Sequence, residues 1–271
     1  MDATLAYLDL RRTNYPFVSN ALAVYGQVFS IQDRFHQSFE ADCPIDLGTG
    51  NGHRPIVPGC LPGLNPDQPL RALAEISDTL AAVAPERGSE IESARRACES
   101  DDILLRHSVG NELSTAAETL RLLTLNPFYE KVARGVVPRI EERAWRLGYC
   151  PVCGESPSVA AYEASTGARY VQCCLCRTQW IVGRIGCVFC GCNDSDKLGY
   201  LQADDNKVHR VEVCDACRGY LKVVDERSLM AESILHVEEL LMSALDREAI
   251  TRGYIPGRSG ARKEEDSLHG S

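Results

Sequence analysis

Four Cys-x-x-Cys pairs fall within 68 residues: Cys150/Cys153, Cys173/Cys176, Cys187/Cys190 and Cys214/Cys217. Eight thiolates at this spacing suffice for two tetrahedral metal ions, and a chain that closes such sites has few local folds open to it. Nineteen residues separate the inner cysteines of the first two pairs, and twenty-three those of the last two. The first gap fits the spacing of about 15–20 residues between the two halves of a four-cysteine site, and the second slightly exceeds it.

Thirteen cysteines in a small secreted chain would suggest disulfides. Here ten of the thirteen lie in one quarter of the 271 residues, mostly as Cys-x-x-Cys. The opening MDATLAYLDLRR lacks a basic segment followed by an apolar run, so it does not read as a signal peptide. No stretch approaches the apolar length of a membrane span, so no membrane insertion is expected. Thiolates ligating metal in a reducing cytoplasm are the expectation. The net charge is −9, with 15 basic against 20 acidic residues in 1–149, 8 against 9 in 150–225 and 6 against 9 in 226–271. No segment is basic, which argues against nucleic acid, since phosphate contacts dominate such binding.

Hydrophobic periodicity predicts helices over most of 1–41, over about Leu70–Val83, and through 88–124, where Asp101 or Asp102 could cap a turn. Asn126-Pro127 reads as a further helix start, and Pro138 as the start of a helix carrying Ile140, Trp145 and Leu147. Cys43–Pro69, with six Pro and five Gly, reads as a loop. His36, His53 and His107 lack ligand spacing, and Cys43, Cys60 and Cys98 are expected to be structural thiols. After Asp225, Leu229, Ile234, Val237, Leu240, Leu241 and Leu245 suit a C-terminal helix ending at Gly253, followed by a polar tail.

The cysteine block is an internal repeat. CPVCG…TGARYVQCCLCRTQW and CVFCG…KVHRVEVCDACRGY each run from Cys-x-x-Cys-Gly to a β-type segment, a second Cys-x-x-Cys and an aromatic, at pitches of 37 and 41 residues. Two residues between cysteines let both sulfurs reach one ion, and Gly154 and Gly191 stand where a positive φ would complete the turn. If each unit is self-contained, Cys150, Cys153, Cys173 and Cys176 form one site and Cys187, Cys190, Cys214 and Cys217 the other. A cross-braced pairing stays open on spacing alone. Cys174 and Cys192 are spare thiols, and Tyr170, Trp180, Tyr200 and Tyr220 are expected to pack the ribbons. A thioredoxin-type redox motif needs one Cys-x-x-Cys at a helix start, which four clustered pairs fit poorly.

Several of these residues resemble the FdhE family of formate dehydrogenase accessory proteins: Tyr149–Gly154, Gly167–Cys176, Trp180, Arg184, Cys187 with Cys190, and Cys214–Lys222. Periodicity and the repeat predict an α+β chain: a helical docking domain (1–147), two rubredoxin-like or zinc-ribbon four-cysteine modules (148–186 and 187–225), a C-terminal helix (226–255) and a disordered tail (256–271); the tail apart, so does the resemblance. The resemblance also implies a cytoplasmic, non-catalytic factor for respiratory formate dehydrogenase that engages the catalytic subunit before export. Two metal ions are expected at the eight cysteines, with rubredoxin-type iron favoured and zinc the alternative; the resemblance leaves homo-oligomerisation open. The competing readings are a rubredoxin-like electron carrier or redox sensor, a nucleic-acid-binding zinc ribbon, and a sulfur-transfer role for Cys174 or Cys192.

Overall fold

The computed structural model describes residues 2–40, 55–57, 61, 64–99, 104–105, 113–137, 145–229 and 233–257. The expected features at Cys43, His53, Cys60, Asp101, Asp102, His107, Ile140 and in the tail beyond 257 lie outside them. The chain divides into two units. The first comprises Met1–Arg143 with the short turns Pro151–Gly154 and Leu175–Thr178, and the second comprises Ala144–Cys150, Glu155–Cys174 and Gln179–Ser271.

The first unit contains α1 (Asp2–Asn14), α2 (Ser19–Ser38), α3 (Asp67–Val83), α4 (Gly88–Cys98) and α5 (Thr115–Val136). Each amphipathic helix turns its apolar stripe inward, for example Leu22, Val28, Ile31 and Phe35 of α2 and Ala72, Leu73 and Ile76 of α3. α5 is the central helix: Leu125, Phe128 and Tyr129 are all at most 1% exposed, and Phe128 packs between Phe35 and Phe39. Ser114 caps it, its Oγ accepting the N–H of Ala117 at 3.2 Å. The Cys98 thiol donates to the Ala117 carbonyl, and burial pushes its pKa up to about 11, which makes it an inert core thiol.

Pro127 does not begin a helix. It lies inside α5, where it removes the N–H that would bond to the Leu123 carbonyl. That carbonyl instead accepts Nε2 of Gln32 at 2.7 Å, from 91 residues away. A tertiary contact thus repairs the lost bond, and the helix runs through. The helix expected across Trp145 and Leu147 is also absent there: residues 145–149 are irregular, with bends at 147–149, and are pinned by Trp145 Nε1 donating to the Tyr149 carbonyl at 2.8 Å.

The second unit is built on one sheet: β1 (Pro157–Tyr162), β2 (Arg169–Cys173), β3 (Gln179–Ile181), β4 (Leu198–Leu201), β5 (His209–Cys214), β6 (Gly219–Asp225) and β7 (Ile255–Pro256). The order is β3-β2-β1-β6-β5-β4, with β7 beside the start of β6. Each repeat therefore forms an antiparallel three-stranded meander. The two meanders join through a parallel β1–β6 pairing that runs from Val159↔Lys222 to Tyr162↔Asp225.

The C-terminal helical segment is made of a single turn α6 (Glu226–Leu229), then α7 (Leu235–Leu241) and α8 (Ser243–Thr251), with a break at Met242. Gly253 ends it at φ +80°, as expected. Leu235 and Met242 pack on Val159, Ala161 and Val224, and Ala249 packs on Val211, Val213 and Tyr220. A buried polar pair adds direction to this packing: His209 Nε2 lies 2.6 Å from Glu238 Oε2. Asn206 Nδ2 donates to His209 Nδ1 at 3.2 Å, which leaves the ring proton on Nε2, facing the carboxylate. No helix among the described residues is long and apolar enough to cross a membrane.

Candidate metal centre

The sulfurs of Cys150, Cys153, Cys173 and Cys176 lie within 4.8 Å of one another, and so do those of Cys187, Cys190, Cys214 and Cys217. The grouping follows the sequential pairing rather than the cross-braced one. Cys153–Cys176, Cys187–Cys217 and Cys190–Cys214 are separated by 3.6, 3.7 and 3.8 Å between Sγ atoms. A tetrahedron with metal–sulfur bonds of about 2.3 Å has edges of about 3.8 Å, whereas a disulfide would need about 2.05 Å. The spacing fits four thiolates around one ion, so each group could hold a metal. Cys174 and Cys192 belong to neither group.

Each Cys-x-x-Cys is a turn closed by a residue in the left-handed region directly after its second cysteine. Gly154 (φ +78°) and Gly191 (φ +70°) do this in the first turn of each repeat, as expected. In the second turns the same position holds Arg177 (φ +57°) and Arg218 (φ +59°). Left-handed backbone costs a residue with a Cβ about 1–2 kcal/mol, so something must hold each arginine there. Arg177 donates to Glu130 Oε2 at 3.0 Å and to Gln32 Oε1 at 2.9 Å, and lies over the Phe29 ring. Beside it, Asn126 Nδ2 donates to the Leu175 carbonyl at 2.6 Å. The Pro127 region of α5 and its Gln32 partner thus serve the turn that carries Cys176. Arg218 is held by Asp215 and the Arg252 carbonyl, both at 2.7 Å, and lies 4.1 Å over the Tyr254 ring.

These arginines were not anticipated, although a signal was present: each repeat reads Cys-x-x-Cys-Gly first and Cys-x-x-Cys-Arg second. Arg177→Ala should lower stability by about 2 kcal/mol: Glu130 keeps Arg134, but the charge-assisted bonds of Arg177 to Glu130 and Gln32 are lost. Arg218→Ala should cost less than about 1 kcal/mol, since its ion pair is half exposed. Denaturant midpoints of the two variants measure the difference.

The two groups differ in access. Cys150, Cys153, Cys173 and Cys176 are all at most 1% exposed, whereas Cys190 is exposed and Cys187 and Cys217 are only partly covered. As thiols, Cys187 and Cys217 are pushed up by burial, Cys217 to about 11. At Cys190 burial also works upward, but the Cys192 N–H and the neighbouring thiols outweigh it, and the pKa falls. Of these three thiols, Cys190 is the one whose surroundings favour the thiolate. The third turn also packs tightly. A Cβ on Gly148 would come within 2.0 Å of the Val188 carbonyl oxygen. Gly148→Ala should displace this turn and cost about 1–3 kcal/mol, with loss of the second group's metal as the readout.

Of the four aromatics expected to pack the ribbons, Tyr170, Trp180 and Tyr220 do. Trp180 Nε1 donates to the Leu147 carbonyl at 2.9 Å, and Tyr170 Oη donates to Glu226 at 2.7 Å. Tyr200 does not: it is 64% exposed.

Comparison with known proteins places this geometry. The family model of the FdhE central domain matches residues 149–184. A protein FdhE homolog of Aquifex aeolicus is 32% identical over 120 residues, covering 43% of this chain and 42% of the relative. Protein FdhE of Escherichia coli O127:H6 is 36% identical over 110 residues, covering 39% of this chain and 34% of the relative. The matched stretch thus spans less than half the length of these relatives. The crystal structure of the FdhE protein from Pseudomonas aeruginosa superposes with a TM-score of 0.63 over 95% of this chain and 94% of that one, at 23% identity, so it shares the fold. Sequence likens residues 149–184 to the FdhE central domain, and the fold as a whole is that of a solved FdhE protein.

Proposed function

We propose that this chain is a cytoplasmic formation factor for respiratory formate dehydrogenase that engages the catalytic subunit before export. The supporting observation is the pair of closed four-sulfur groups, the first of them inside the stretch that matches the FdhE central domain. In this reading Cys150, Cys153, Cys173 and Cys176 ligate one ion and Cys187, Cys190, Cys214 and Cys217 a second. Rubredoxin-type iron is favoured and zinc is the alternative. Residues 1–147 act as the docking domain, 148–186 and 187–225 as the metal modules, and 226–255 as a helical segment packed on strands of both modules.

Four protein ligands fill a tetrahedral ion, which leaves no open position for activating water or substrate, so the protein acts by binding rather than turnover. Anaerobic pull-down with the unprocessed catalytic subunit should recover a complex, and recovery of nothing would refute the reading. The exposure of Cys190 favours one further role, electron exchange at the second group, because iron on four thiolates is redox-active and zinc is not. Visible spectroscopy of anaerobically purified protein tests it, and a colourless zinc protein excludes it.

A further inference from the structure

The β4-β5-β6 half of the sheet has two unlike faces. Val211, Val213 and Tyr220 pack against Ala249, while the opposite face carries Tyr200, Glu212 and Leu221, aligned by the register Tyr200↔Glu212↔Leu221. On that second face a cavity of about 330 Å³ opens between the strands and the loop from Arg184 to Phe189. Its size lies within the range of small-molecule sites, about 300–1,000 Å³.

Three guanidiniums, from Arg169, Arg184 and Arg210, line it against a single carboxylate, Glu212. Glu212 is already saturated. It accepts Arg169 at 2.7 Å, Arg210 at 2.9 Å and the Tyr162 hydroxyl at 3.1 Å. Donors are left over, although Cys187 and Cys214 of the second group also line the cavity and bring thiolate charge to it. Arg184 has no carboxylate partner among the described residues. Arg169 is 3% exposed, and its Nε, like that of Arg210, is buried without an acceptor. Unsatisfied buried donors are costly, and cationic ones especially so. At the same cavity, Tyr200 and Ile185 are 64% and 78% exposed, leaving apolar surface in water. In a chain of net charge −9, this concentration of cations is local.

The geometry points to a binding site for a small organic anion, a phosphate or carboxylate on a flat apolar body, with the anion on Arg184 and the ring against Tyr200. Phenyl phosphate and benzoate, titrated calorimetrically into the metal-loaded protein, are the probes. Inorganic phosphate and benzyl alcohol supply each half alone. Both probes should bind one per chain, at least about tenfold more tightly than either half, as combined charge-assisted and apolar contacts require.

Arg184→Glu should abolish binding, Arg184→Lys should weaken it about threefold, and Tyr200→Ala should weaken it about fivefold. Circular dichroism and metal content of the variants should match the parent. The idea is overturned if neither probe binds, or if Arg184→Glu binds as well as the parent. It also falls if Arg184→Glu empties the second metal group while binding persists, because the guanidinium then serves the thiolates. An acetylated, amidated Asp-Tyr dipeptide forms the peptide arm. Tenfold tighter binding of that dipeptide than of phenyl phosphate would make the occupant a peptide side chain and contradict the small-ligand assignment.

Discussion

Cys153→Ser should leave the protein with a single bound ion and a melting temperature lowered by about 10–15 °C. All four sulfurs of the first group are at most 1% exposed, so a lost thiolate is not replaced by solvent without opening the surrounding structure. Closed four-thiolate sites contribute about 10–16 kcal/mol in small zinc domains, as much as the whole stability of most folded chains. Even a third of that, lost from a chain of this size, corresponds to about 10–15 °C at about 2–4 °C per kcal/mol. Damage should also extend to the helices, because the turn bearing Cys176 is fastened to α5 and α2 through Asn126, Glu130 and Gln32. Calorimetry with metal analysis measures both effects. An unchanged melting temperature would mean that the first group is not a structural metal site.

The second large effect is an asymmetry between the ions. A competing chelator must reach a sulfur, and only the second group offers one at the surface, Cys190. The first group can be attacked only through local opening, each 1.4 kcal/mol of which slows exchange about tenfold. One ion per chain should therefore leave to a chromogenic chelator at least about tenfold faster than the other. Cys190→Ser should remove the fast phase and leave the slow one. Two ions released at a single rate would contradict the structural distinction between the groups.

The candidate site was largely legible in the sequence because its determinants are local. Cys-x-x-Cys turns, their closing glycines and the repeat pitch need only short-range geometry, and Gly154, Gly191 and Gly253 all take the positive φ expected of them. What escaped depends on distant partners. Pro127 reads as a helix start because its repair, the Gln32 amide on the Leu123 carbonyl, comes from another helix. Arg177 and Arg218 take a conformation that glycine usually takes because Glu130 and Asp215 hold them. The parallel β1–β6 pairing that makes one sheet of two modules joins Val159 to Lys222, and nothing local announces it. Tyr200 carries the alternation of a packed strand residue, but it stands on an edge strand beside an open cavity.

The most direct test of the central claim, two separate four-thiolate centres on one chain, is metal-edge X-ray absorption on anaerobically purified protein, together with total metal content. The account predicts two ions per chain, each with four sulfur neighbours at about 2.3 Å. One ion or none per chain, nitrogen or oxygen in the coordination shell, or sulfurs paired at disulfide distance would contradict it.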